Sequence, residues 1–197
     1  MKLWDVNLNM RVMGMKIHKT SLFIWLLVVI SGNAFAETLP FVPVDFNVPA
    51  VFENKDFRIR TLTVSDVVKD YDAVMSSLDH LQGVFGPNST WPLPDLSLEQ
   101  DLIDLGWHQK EFQMRSSFAY TVVTLNEERV IGCIYIFPTS KGDFDASITM
   151  WVRADVVKDK YDTILFNTVK DWLAADWPFT KPAYPGRTIT WQKWSSL

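Results

Sequence analysis

His108 and Glu111 stand three positions apart, and they are the strongest chemical pair in the sequence. On a helix, residues three apart face the same side. A histidine and a carboxylate placed so can serve as base and relay in a proton transfer. The plain alternative is a surface glutamate and a hydrogen-bonded histidine packed beside Trp107. Glu127 and Glu128 read as solvated turn residues. Cys133 lies among Ile131, Ile134 and Ile136, which suits a buried small hydrophobe better than a nucleophile. Arg153 and Arg187 can bind an anion or pair with Asp155 and Asp176. Seven of the nine tryptophans (Trp91, Trp107, Trp151, Trp172, Trp177, Trp191 and Trp194) form either a ligand groove or a tryptophan-rich core.

Composition narrows these options. The chain has 197 residues, 48% hydrophobic and 21% charged, with net charge -4. That is ordinary globular composition, enough for one domain. The acid excess gives no electrostatic case for nucleic acid. A single cysteine excludes an internal disulfide, and with three histidines no metal site is expected.

Residues 22–30 (LFIWLLVVI) are an unbroken apolar run after Lys16 and Lys19, followed by Ala34-Phe-Ala36. A basic start, a short apolar run and an Ala-x-Ala site read as a secretory signal peptide cleaved after Ala36, starting at Met1 or Met15. The run is too short to span a membrane, which takes about 20 apolar residues. The expected mature chain is exported to the periplasm and keeps no stable membrane span. It has 15 basic and 22 acidic residues, net -7.

Three segments follow: the signal peptide over 1–36, a Pro-rich extended arm over 37–55 with no regular element over most of it and Phe and Val residues that can dock on the body, and a domain over 56–197. The arm carries three prolines before Glu53, which fix φ and remove donors. In the domain, Phe57–Leu62 alternates as a strand. Apolar spacing predicts a helix from Asp66 to about Leu81. Ser97-Leu-Glu-Gln100 has capping-box form and opens a helix to about Arg115. Residues 118–125 and 130–137 make a hairpin, and 145–153 a further strand. Residues 155–177 read as a long helix and Thr188–Trp191 as a last strand. The expected order is β-α-α-β-β-β-α-β.

This order resembles the GNAT superfamily of acyl-CoA-dependent N-acyltransferases. The likeness lies in the opening Phe57–Asp66, the hairpin 118–137 with Ile131-Gly-Cys133, the strand Ile148–Arg153 and the helix after it. Trp107-His108, Trp151-Val-Arg153, Trp177-Pro-Phe179 and Tyr184-Pro-Gly-Arg187 are similar to a subgroup of GNAT-like proteins. The resemblance implies an α+β fold: a GNAT-like mixed, mostly antiparallel sheet flanked by helices on both faces, shortened at its C-terminus. It implies acetyl-CoA as acyl donor and a small-molecule or protein amine as acceptor. Glu111 and His108 would then deprotonate the amine, and Met150, Trp151 and Val152 would lie along the donor's arm. The family's phosphate loop carries glycines, but none stands between Gly142 and Gly186. Lys158 and Lys160 are the charges that could replace them, and a weakened or lost acetyl-CoA site is expected. The alternative function is an exported, non-catalytic domain that binds a ligand or partner in the cell envelope.

Overall fold

The computed structural model describes residues 40–197; the signal-peptide reading lies outside them. Six strands form one sheet in sequential order: β1 (Val51–Glu53), β2 (Arg58–Thr61), β3 (Phe118–Val123), β4 (Val130–Phe137), β5 (Ala146–Val152) and β6 (Pro182–Ala183). All neighbours are antiparallel except β5 and β6, which are parallel. The helices are α1 (Val67–Met75), α2 (Leu78–Leu81), α3 (Leu98–Gln113), α4 (Tyr161–Asp176) and α5 (Trp191–Ser195). Among the described residues, no helix is long and apolar enough to cross a membrane.

The central strands are buried on both faces, and their period of two divides the core. Phe118, Tyr120, Ile134, Ile136, Ile148 and Met150 point to one side, where Leu165, Val169, Trp172 and Leu173 of α4 cover them. Ala119, Cys133, Tyr135 and Trp151 point to the other, against Ala73 and Val74 of α1 and Leu105 of α3. The sequence therefore shows near-continuous apolar runs where a half-exposed sheet would alternate. The aromatic corner Phe118, Tyr120, Trp172, Trp177 is locked edge-to-face, with ring centroids 5.1–6.2 Å apart.

Within the described part of the arm, Val51–Glu53 is the one strand and pairs with β2, and Phe41 and Phe46 pack on the α4-side core. Tyr120 fixes this segment by donating its hydroxyl to the carbonyl of Pro49 at 2.6 Å. Three sequence expectations need correction. The long helix starts later than its apolar spacing suggested. A 3-10 turn over Ala154–Asp159 precedes it, and Lys160 then adopts φ +62° before α4 begins. Thr188–Trp191 is not a strand; β6 is Pro182–Ala183, and Trp191 opens α5. Glu127 is not merely solvated, because it accepts from both Arg58 and Arg60. Arg60 in turn grips Asp66 with two bonds of 2.7 and 2.9 Å.

Candidate functional site

Helix α3 begins where Ser97 Oγ accepts the backbone N–H of Gln100 at 3.1 Å, satisfying one of the first-turn donors. From there Asp101, Asp104, His108 and Glu111 fall on one side at helical spacing. All four line a cavity of about 580 Å³ between α1, α3 and the sheet. Asp70 enters from α1. Most of the remaining wall is aromatic, with Trp91 and Phe85 from the loop after α2, Tyr135 and Phe137 from β4, and Trp191 and Trp194 from α5; Ser147, Thr149 and Pro185 complete it. Among the described residues, no lysine or arginine lines the cavity. Among the described residues, none of its four carboxylates forms a salt bridge.

Burial sets the protonation of these groups. Asp70 is 4% exposed and its carboxyl is pushed up to about 7, mostly by desolvation and then by the charge of Asp101. Its one protein hydrogen-bond donor is the Cys133 thiol, at 3.2 Å. Desolvation and the neighbouring Asp70 hold that thiol well above its usual range, so Cys133 is no nucleophile. Asp101 is 5% exposed and pushed up to about 6 by desolvation, with Asp104 adding to it. Its Oδ2 is buried with no hydrogen-bond partner. His108 lies against Tyr135 with ring centroids 5.0 Å apart, and its Nδ1 is likewise buried without a partner. Desolvation lowers its pKa against the pull of Glu111 and Asp104, so the ring is neutral at pH 7. Glu111 Oε2 accepts the Ser117 hydroxyl at 2.7 Å.

A second cavity, about 320 Å³, opens where β5 and β6 part. Pairing between them is confined to Ala146–Pro182 and Ser147–Ala183. Beyond Ser147 the β5 edge faces a gap bounded by Pro185, Gly186 and Arg187. At its mouth Arg187 makes two bonds to Asp162, of 2.5 and 2.6 Å. Gly186 is required there: a Cβ would lie 2.6 Å from the Trp191 indole nitrogen, and its φ is +75°. The two cavities share Thr149, Pro185 and Trp191 in their walls.

The sequence-based candidates divide between these places. His108 and Glu111 both line the larger cavity. Met150, Trp151 and Val152 line the smaller one, but Lys158 and Lys160 do not; both are exposed. Lys160 nevertheless takes the left-handed conformation that glycine would take freely, at a cost of about 1 kcal/mol. Arg187 pairs with Asp162 and not with Asp176, while Arg153 pairs with Asp72 and Asp155. Trp172 and Trp177 are core, whereas Trp91, Trp107, Trp191 and Trp194 line the larger cavity. Sequence reasoning missed Asp70, Asp101 and Asp104. Their signal was present: Asp70 interrupts the apolar face of α1, and the two others share the helical spacing of His108 and Glu111.

The residues around the smaller cavity can be tested against an acyl-CoA donor. The parted strands leave β5 backbone free for an extended arm. Helix α4 begins beside the cavity with no side chain capping its first N–H groups, which suits an anion. Asp162 opposes an anion, and Arg187 balances Asp162. A phosphate at this turn would have to take Arg187 from Asp162.

No protein-family model matches the sequence, and no curated protein matches it. Solved structures do. A ribosomal-protein-S5-alanine acetyltransferase from Vibrio fischeri aligns over 64% of this chain and 67% of its own, with TM-score 0.51 and 18% identity. A protein assigned as a ribosomal-protein-serine acetyltransferase in Vibrio cholerae aligns over 62% and 65%, with TM-score 0.50 and 11% identity. A third, described as a probable acetyltransferase, aligns over 68% and 72%, with TM-score 0.50 and 11% identity. At these identities the likeness speaks for architecture. With its mixed sheet, parted β5 and β6 and helices on both faces, the described domain has a GNAT-like fold.

Proposed function

We propose that the domain is an N-acyltransferase that transfers an acetyl group from acetyl-CoA to a cationic amine. One observation carries the reading. The acid-lined cavity and the cleft between β5 and β6 share Thr149, Pro185 and Trp191, so an amine in one abuts an acyl group entering through the other.

Acetyl-CoA supplies an activated thioester when bound; the protein supplies the rest. Asp101, Asp104 and Glu111 attract an ammonium group, and the aromatic walls exclude water and strengthen that attraction. An amine must lose a proton before its lone pair can attack. His108, neutral at pH 7, is the group able to take it, with Glu111 three residues on to favour the imidazolium that forms. At the cleft, Met150, Trp151 and Val152 line the path of the donor's arm. Arg187 and the first turn of α4 meet its phosphates, with Lys158 and Lys160 near that turn.

Calorimetric titration of the protein with acetyl-CoA, followed by thiol release in the presence of a panel of alkylamines, tests the reading. Micromolar binding and amine-dependent release are expected. Absence of binding at millimolar donor overturns it and leaves a domain that binds a ligand in the same cavity without transfer.

A further inference from the structure

Four carboxylates are more than one ammonium group requires. Asp101, Asp104 and Glu111 lie along α3 over ten residues, a rise of about 15 Å at about 1.5 Å per residue. Asp70 faces the inner end of this stripe from α1. Opposite runs a wall of indoles, Trp91, Trp191 and Trp194, with Trp107 on α3 itself. Two lysines that do not line the cavity lie over rings of its wall: Lys110 sits 4.6 Å from the Trp107 ring and Lys141 5.2 Å from the Trp194 ring. The cavity thus lacks an internal cation, yet it holds a 5%-exposed aspartate whose Oδ2 bonds to nothing. A buried carboxylate oxygen without a donor costs free energy until a donor arrives.

We propose that the acceptor is a linear polyamine, its ammonium groups strung along the Asp101–Glu111 stripe and its methylenes lying on the tryptophans. The proposal deepens the acyltransferase reading and rests on the larger cavity being the acceptor site. A monoamine would answer one carboxylate and leave the others unpaired. A lysine-rich peptide would bring backbone amides against aromatic walls, while the flanking strands β3, β4 and the covered part of β5 are already paired within the sheet. An aliphatic chain carrying only ammonium groups leaves no such group unmatched.

The inner end gives the binding a proton signature. Asp70 faces Asp66 on its own side, Cys133 and Tyr135 from β4, and Asp101, Asp104 and His108 from α3. Burial holds part of the Asp70 and Asp101 population protonated near pH 6.5. An arriving ammonium favours the ionised carboxylates and expels those protons.

The test is calorimetric titration of the whole chain, without acyl donor, using α,ω-diaminoalkanes of two to twelve methylenes. Hexylamine and tetralysine serve as controls. Affinity is expected to rise with chain length and to exceed that of hexylamine by at least about tenfold. Asp101→Asn should weaken every diamine about tenfold, and Glu111→Gln only the long ones. Titrations at pH 6.5 in two buffers of different ionisation enthalpy should show protons released on binding. Affinity independent of length and equal to that of hexylamine overturns the proposal, and so does tighter binding of tetralysine than of any diamine. The length series uses the unaltered protein, so it stands even if a variant fails to fold. Diamine binding without transfer would overturn the acyltransferase reading alone. Transfer to another amine without diamine binding would overturn this proposal alone.

Discussion

The two cavities handle charge in opposite ways. In the cleft between β5 and β6, Asp162 is met at once by Arg187, and the charges close on each other. In the larger cavity, Asp70, Asp101, Asp104 and Glu111 have no cation among the described residues, nor have two buried polar atoms, Asp101 Oδ2 and His108 Nδ1, a hydrogen-bond partner among them. The first is satisfied within the protein and must open to admit an anion. The second is unsatisfied and gains when a cation enters. Unpaired buried charge is the costlier state, so the larger cavity is where binding has the most free energy to release.

Substitutions can break or sharpen that contrast. The largest effect is expected at His108. With His108→Ala, kcat for acetyl transfer should fall by about 10²- to 10⁴-fold with KM little changed, measured by steady-state thiol release. In the unaltered enzyme the acid limb of kcat/KM should lie below the usual histidine range, because burial holds the ring neutral. An unchanged kcat would remove the histidine from the chemistry.

Next comes stability against pH. Asp70 stands at about 7 when folded, against 3.8 as its ordinary value. Between those values the folded protein holds a proton that the unfolded chain has released, so stability falls as pH rises through this window. Asp101 acts in the same direction up to about 6. Asp70→Asn keeps an oxygen to accept the Cys133 thiol. It should raise stability at pH 8 by up to about 4 kcal/mol and flatten the pH dependence, read by urea denaturation at several pH values. A variant no more stable than the parent at pH 8 would mean that Asp70 already has a counter-charge.

The cleft should respond more modestly and in the opposite sense. Asp162→Asn frees Arg187 and should tighten acetyl-CoA about tenfold, whereas Arg187→Ala should weaken it by a similar factor, both by calorimetry. If both variants weaken binding, the ion pair is support and not a latch. The smallest effect is expected far from both cavities. Glu127→Ala removes the half-buried partner of Arg58 and Arg60 and should cost about 1 kcal/mol or less, shrinking further in high salt.

Much of the fold was legible in the chain because its signals are local. The capping residues Ser97 and Gln100, the turn between β3 and β4, and the β-rich apolar runs over 118–123 and 146–152 each name their element without reference to any other. The late start of α4 was not legible, because Val156 and Val157 continue the apolar spacing while Lys160 breaks the backbone. Pro182–Ala183 was missed as a strand because only two residues pair, and their partners on β5 lie 36 residues earlier. In the candidate site, His108 and Glu111 could be paired from spacing alone. Asp70 could not be joined to Asp101, since α1 and α3 meet only once the sheet places them side by side.

By itself, then, the sequence determined the elements, the apolar faces that must be covered and the helical stripe of carboxylates on α3, because each depends on neighbours within a few turns of chain. Only the tertiary structure decided which charges meet. It gave Arg187 to Asp162, and Glu127 to Arg58 and Arg60, and it left Asp70 and Asp101 together without a cation. Desolvation has no counterpart in sequence spacing: a carboxylate becomes an acid near neutrality only when α1, α3 and β4 close around it and remove the water.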